Sequence, residues 1–572
     1  MARRIRATWL VTLGLVMAAC GTGGDATTTA PDGTGGSTTA PSTAEGGTVR
    51  IGWGGAPADL NPGIGVLTED YTLYDLVYDS PLNIDLDGNF QPELATEWSV
   101  SGDGLTWTMK IREGVVFSDG TPLTAEDVAY SINLYKDTEA FPLLPSYVGP
   151  FETVEAPDAT TVTLTTADPL PNFEYRMVAM YVLPKHIWEA VDDPTNFTND
   201  DMIGSGPFTL TEISQSEFVR LSRNPDYWGT VPSIDEVIFQ TFDNPDGRVQ
   251  ALINGDVDMI TEFPATAIAT LQGTDGIEVA DGNYFGGRLA DIFFNVVEPE
   301  NCPTEEEGGI CSGHPALRDV NVRQALATAT DKQQLIDVVL LGTADKGLGL
   351  VTNSLGDWYP AELEASDYVF DIANANGILD AAGYADTDGD GIRECPAGAE
   401  CGPTGDLTFR LNYPTDNDEH PRVSDMLSGW WKEIGVKVEI AGLDSDTLTS
   451  VCCPSFDFDV MLWSWTSDPD PESLLGVLLC SEISSGFSET GYCNPTVDEL
   501  YAQQQIELDP AKRREMIVEI SKIALEDVPY IIPWYYPRIQ AYRTDTFTGW
   551  QTGKTILSLE DPSTLTVLRP AG

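Results

Sequence analysis

Three features of this chain predict a mixed α/β fold of more than one domain. The segment Leu105-Thr-Trp107-Thr-Met109-Lys-Ile111-Arg alternates apolar with polar residues, which is the period of a half-buried strand. Thr124-Ala-Glu-Asp127 then resembles a capping box, opening a helix through Val128, Ile132 and Tyr135. The switch of period recurs later. Leu407, Phe409, Leu411 and Tyr413 alternate, residues 423–434 read as a helix that Gly435 breaks, and Val436–Ile440 returns as a strand. Residues 318–341 hold two further helical stretches.

The start of the chain reads as an export signal. Arg3, Arg4 and Arg6 precede an apolar run from Ala7 to Ala19, about 13 residues, too short to span a bilayer and of signal-peptide length. Met17-Ala18-Ala19-Cys20 fits a lipoprotein cleavage site with Cys20 as the acylated residue, Met17 standing where Leu is commoner. Residues 21–47 are nearly all Gly, Thr, Ser, Ala and Pro, too polar to offset chain entropy by burial, so they read as a flexible tether with a reach of ~30 Å. The expected location is outside the cell, on the outer face of the membrane.

Composition narrows the partners. Thirty basic residues stand against 90 acidic ones, a net charge of −60. Nucleic acid is excluded as a partner, because phosphates demand a basic surface. The acidity serves either solubility or a field that concentrates cationic solutes. Beyond Cys20 the cysteines are even in number, as in disulfide-bonded exported proteins. Cys302 with Cys311, Cys395 with Cys401 and Cys480 with Cys493 read as local pairs. Cys452 and Cys453 bridge each other or pair with Cys480 and Cys493.

The segment L-A-T-E-W-S-V-S-G-D-G-L-T-W-T-M-K-I-R-E-G-V-V-F-S-D-G-T-P-L-T-A-E-D-V, Leu94 to Val128, resembles the hallmark segment of the family 5 extracellular solute-binding proteins. Further blocks follow in family order. They are Gly204-Ser-Gly-Pro-Phe208, Asn224-Pro-Asp-Tyr-Trp228, Ala251-Leu-Ile-Asn-Gly-Asp-Val-Asp258, Arg318-Asp-Val-Asn-Val-Arg-Gln-Ala-Leu326, Asn494-Pro-Thr-Val-Asp-Glu-Leu500 and Asp527-Val-Pro-Tyr-Ile-Ile-Pro533. The resemblance covers about residues 48–550. It implies the two-lobed periplasmic-binding-protein (Venus flytrap) α/β fold with an inserted domain. It also implies a monomer that captures a solute and delivers it to the permease of an ABC importer. By position the resemblance gives a signal peptide over 1–19, a tether over 20–47 and a first lobe over 48–79, 201–284 and 531–572. The inserted domain falls at 80–200 and the second lobe at 285–530.

Asp457-Phe-Asp-Val-Met-Leu-Trp463-Ser-Trp465 reads as a strand with both tryptophans on one face, running into Thr-Ser-Asp468-Pro-Asp470-Pro. Ligands of α/β sheets bind just beyond the carboxyl ends of strands. Two indoles beside a carboxylate suit an apolar chain or a sugar ring carrying one cationic group. In peptide-binding relatives an Asp three residues after a Trp pairs with the ligand's α-amino group, and Trp465-Thr-Ser-Asp468 matches that spacing. Asp468, Trp465, Trp463 and Asp470 are therefore the candidate ligand residues. A peptide is the expected ligand, with an oligosaccharide or another solute as the alternative.

Asp386-Thr-Asp388-Gly-Asp390-Gly-Ile392-Arg-Glu394 places oxygens as the opening of an EF-hand loop does, with the Ile392 carbonyl at the seventh position. Ala397 stands where the bidentate Glu belongs, so a structural calcium there needs oxygens from elsewhere. No cofactor is otherwise expected. The chain has no P-loop, no G-x-S-x-G elbow and no H-E-x-x-H, and its three histidines, His186, His314 and His420, are scattered. The expectation is a binding protein and not an enzyme, with a secreted hydrolase as the distant rival.

Overall fold

The computed structural model describes residues 46–571 except Gln215, Ser216, Pro403, Asp416 and Lys554. The leader, Cys20 and nearly all of the tether lie outside the described residues. Among the described residues no helix is long and apolar enough to cross a membrane.

The predicted strand forms as Thr106–Ile111 and buries Trp107, Met109 and Ile111 on one face. It is central in a four-stranded antiparallel sheet with Ala95–Val100, Thr161–Thr166 and Phe151–Asp158. Trp107 stacks on Phe173 with ring centroids 4.0 Å apart. The capped helix runs Ala125–Asp137: Thr124 Oγ1 accepts from the Glu126 amide, and Asp127 returns to accept from the Thr124 amide at 2.9 Å. Its buried Val128, Ile132 and Tyr135 join one core with Val49, Ile51 and Phe239 of the first lobe. The inserted sheet is thus fused to the first lobe by shared packing.

One long sheet links the lobes. On the first-lobe side Thr48–Trp53 pairs in parallel with Glu236–Thr241 and Met259–Ile260. On the second-lobe side Thr408–Pro414 pairs in parallel with Lys437–Leu443 and Val460–Thr466. Two antiparallel strands, Ile277–Phe294 and Trp534–Arg543, join these halves. The core changes along both. Ala280 packs with the first lobe and Leu289–Phe294 with the second, while Trp534 and Tyr535 belong to the second and Tyr542 to the first. The chain thus crosses back to the first lobe between Tyr535 and Tyr542, beyond residue 531.

The change of core coincides with a break in register. Pairing stops at Asn283↔Pro537 and resumes at Arg288↔Tyr536. Gly286 and Gly287 occupy this break with φ of +74° and +92°. A Cβ on Gly286 would lie 1.9 Å from the Ser467 carbonyl oxygen. The Ser467 amide donates to the Gly287 carbonyl at 2.8 Å, and Thr352 Oγ1 donates to the Gly286 carbonyl at 2.9 Å. Bare backbone at this point lets the loop after Val460–Thr466 lie directly on the junction.

The three expected local disulfides form, and Cys452 bridges Cys453, which settles the alternative left open by spacing.

Gly286→Ala meets both an unfavourable backbone conformation and the Ser467 carbonyl, so it should cost more than ~1 kcal/mol of stability. Chemical denaturation should show a lowered midpoint; an unchanged midpoint would mean that the loop does not need this contact.

Candidate functional site

Two cavities flank the junction and share Tyr284 as a wall. The larger, about 590 Å³, is lined by Arg288, Trp463, Tyr536, Glu419 and Glu262 among others. The smaller, about 370 Å³, lies where four parts of the chain meet. The first-lobe helix Thr68–Val77 supplies Tyr71 and Asp75, and the inserted domain supplies Tyr147 and Tyr175. The junction supplies Phe285 and Arg538, and the second lobe supplies Thr466 and Asp468. Both volumes fall in the range of small-ligand sites.

Asp468 lies just past the carboxyl end of its strand, half-buried on the wall of the smaller cavity. The Tyr147 hydroxyl donates to Asp468 Oδ1 at 3.3 Å. Burial and the neighbouring Asp468 charge push the Tyr147 phenol well above its usual range, so it stays a neutral donor. The loop is anchored on both sides of Asp468. Ser467 is tied to the glycine junction as described. On the other side Asp470 is 5 % exposed and accepts from both Arg513 terminal nitrogens at 2.7 Å each. Arg513 comes from the helix Pro510–Asp527 and is also held by Gln504 Oε1 at 2.9 Å.

This corrects the expectation for Asp470. Both its oxygens are consumed by a buried guanidinium, and it does not line either cavity. The tryptophans are also separated. Trp463 lines the larger cavity. Trp465 lines neither; it packs edge-on to Phe487 at 6.0 Å, beside the buried Glu489. Sharing a strand face brought the two indoles to one side of the sheet, but second-lobe side chains cover that side at Trp465.

The sequence reading missed Tyr147, Tyr175, Asp75 and Arg288. Tyr147 sits 321 positions from the aspartate that it touches, and no local pattern marks such a pair. Arg288 stacks over Tyr536 at 4.7 Å and lies 3.5 Å from Ser464 Oγ.

The acidic loop is locally organised. Carboxylate oxygens of Asp386, Asp388 and Glu394 lie within 4.8 Å of one another. Backbone amides hold them: Gly389 and Gly391 donate to Asp386, Asp390 to Asp388, and Thr387 to Glu394 at 2.7 Å. The Asp390 carboxylate instead accepts from the Ile392 amide at 2.8 Å and stands outside the cluster.

Comparison with known proteins gives the wider setting. The family model for bacterial extracellular solute-binding proteins, family 5 Middle, matches residues 89–485. The chain is 28% identical over 517 residues to Protein XP55 of Streptomyces lividans, covering 88% of this chain and 89% of that protein. It is 25% identical over 516 residues to the oligopeptide-binding protein AppA of Bacillus subtilis, covering 89% of each. The solved structure of the ABC transporter substrate binding protein CtaP from Listeria monocytogenes is similar in fold, with a TM-score of 0.77 at 24% identity over 92% of this chain and all of that one. The two lobes, the cavities at their junction and this match place the chain among the bacterial extracellular solute-binding proteins of family 5, as a binding protein and not an enzyme.

Proposed function

We propose that this protein is the receptor of an ABC importer and that its solute is a peptide whose α-ammonium pairs with Asp468. The observation that carries this reading is the placement of Asp468. It faces a cavity, is held from both sides by its loop and is met by a neutral tyrosine donor from another domain. An ammonium completing this site gains a charge-assisted hydrogen bond. The similarity to AppA, whose solved structure is of a complex with a nonapeptide, supports the peptide. Arg288, in the larger cavity, is suited to the carboxylate end of the same chain. Solute binding draws the lobes together about the Gly286–Gly287 break, where the pairing of the joining strands is interrupted. One observation favours an oligosaccharide as the second reading: the aromatic residues Trp463, Tyr284 and Tyr536 line one cavity. The receptor acts as a monomer held to the outer face of the membrane by a lipid on Cys20, with residues 21–47 as its leash.

We also propose a structural calcium ion at Asp386, Asp388, Glu394 and the Ile392 carbonyl, with Asp390 reaching it through water. The carboxylates already converge, and calcium fills its six to eight positions with oxygen.

Asp468→Asn should weaken binding of free-amine peptides by roughly tenfold or more, the worth of a hydrogen bond to a charged group, and N-acetylated peptides should bind the wild type as weakly as they bind the variant. Calorimetry giving equal affinities for both proteins would remove Asp468 from the site. Cys20→Ser should shift the protein from the membrane fraction to the medium; retention at the membrane would dismiss the lipid anchor. Calcium should raise the melting temperature above that measured in chelator, and coincident melting curves would dismiss the ion.

A further inference from the structure

The smaller cavity has a second acidic end, apart from Asp468. Asp75 comes from the helix Thr68–Val77, Glu93 from the segment after the hairpin strand Phe90–Pro92, and Asp561 from the C-terminal segment. All three line the cavity. Each already has at least one donor, and Glu93 accepts in addition from Asn83 Nδ2 at 3.4 Å. Tyr181 donates to Asp75 at 2.7 Å, the Ser80 amide to Glu93 at 3.1 Å and the Ser563 amide to Asp561 at 2.8 Å. None of the three has an ion pair among the described residues. Arg538 is the one described cation on this wall, and its guanidinium is committed to Glu560.

The carboxylates feel one another. Desolvation first, then Asp561 and Glu560, push Asp75 up to about 7. Desolvation, then Asp79, Asp75 and Asp561, push Glu93 well above its ordinary value. Asp75 is exposed and Glu93 and Asp561 are half-buried on the cavity wall, so a cation entering the cavity can reach all three and relieve their repulsion. A second observation points to a guest in the same cavity. Tyr175 is 6 % exposed and lines the wall near Asp468; its hydroxyl faces Asp468 and Tyr147 but makes no well-formed hydrogen bond to either. A buried hydroxyl left without a well-formed hydrogen bond is rare in a finished site. Tyr71 lines the same cavity as both acidic ends, and desolvation first, then Asp70, Asp468 and Asp75, disfavour its ionisation.

We propose that this cavity selects peptides carrying a basic residue, whose side-chain ammonium or guanidinium enters the Asp75–Glu93–Asp561 end while the α-ammonium sits at Asp468. The inference rests on the peptide reading and adds the class of side chain. A lysine or arginine stem would run past Tyr71 and Tyr181, which bury its methylenes and leave its charge among the three carboxylates.

The test is calorimetry on the mature full-length protein with the tripeptides Ala-Lys-Ala, Ala-Ala-Lys, Ala-Ala-Ala and Ala-Glu-Ala. At least one lysine peptide should bind roughly tenfold or more tightly than trialanine, and the glutamate peptide should bind most weakly. In the double variant Asp75→Asn, Glu93→Gln the lysine-to-alanine ratio should fall to about one. Each substitution keeps one acceptor oxygen and removes mutual repulsion, so thermal unfolding should not be lowered. Equal affinities for lysine, alanine and glutamate peptides would overturn the inference and leave the peptide reading standing. A ratio retained in the double variant would overturn it as well. Failure of every peptide to bind would remove the peptide reading, and this inference with it.

Discussion

The contact between the Gly286–Gly287 backbone and the Ser467–Asp468 loop is the constraint on which the site depends. It lies where the two cores meet and where the joining strands lose register. A side chain at Gly286 would occupy the space of the Ser467 carbonyl. The break therefore serves two ends. It interrupts the hydrogen-bond ladder between the lobes, and it seats the loop that carries Asp468 against the interrupted ladder. The other end of the loop is fixed by Asp470 and Arg513. A buried pair of this kind adds little net stability when whole, yet removing one partner costs ~3–5 kcal/mol. It acts as a register pin, setting where Pro469 ends and the helix Glu472–Leu475 begins. Asp468 is suspended between a glycine contact and an ion pair, which limits how far its carboxylate can wander.

The inserted domain takes part in the site directly. Its sheet is packed into the first-lobe core, yet Tyr147 reaches Asp468 of the second lobe and Asn172 donates to Glu472 at 2.7 Å. Arg176 lies 3.7 Å from the same Glu472. The small cavity is lined by residues from four parts of the chain, so its shape depends on all of them at once. That dependence also explains why the aromatic lining is mostly tyrosine. A tyrosine ring fills space as an apolar wall while its hydroxyl can satisfy a carboxylate, as Tyr147 does for Asp468 and Tyr181 for Asp75.

What could be read in the sequence follows the range of the interactions involved. The strand at Trp107, the Thr124 cap and the two helices after Asp319 and Asp331 rest on period and capping, which act over a few residues, and they appear as expected. Asp468 was singled out by its spacing from Trp465 and by resemblance, and the fold puts it on a cavity wall. Asp470 carried the same local signature, and only the distant Arg513 gives it a different role. The two tryptophans shared a face by periodicity, but whether a sheet face meets solvent, ligand or core is decided by elements far along the chain. The Cys452–Cys453 bridge was ambiguous for the opposite reason, because adjacency fits several pairings until the fold separates the candidates.

The large negative charge and the acidic cavity act over different distances. At physiological ionic strength exposed charges are screened beyond ~8 Å, so the acidic surface attracts cations broadly without telling one from another. Asp75, exposed, and Glu93 and Asp561, half-buried, line the cavity wall, where desolvation first and then neighbouring carboxylates disfavour their ionisation. A cation placed among them relieves that repulsion and finds acceptors oriented by Tyr181, Ser80 and Ser563. Surface charge can raise the encounter rate of many cationic solutes, whereas discrimination requires carboxylates whose positions are fixed before the solute arrives. In this protein that requirement is met inside the smaller cavity, which Asp468, Tyr71 and Asp75 line together.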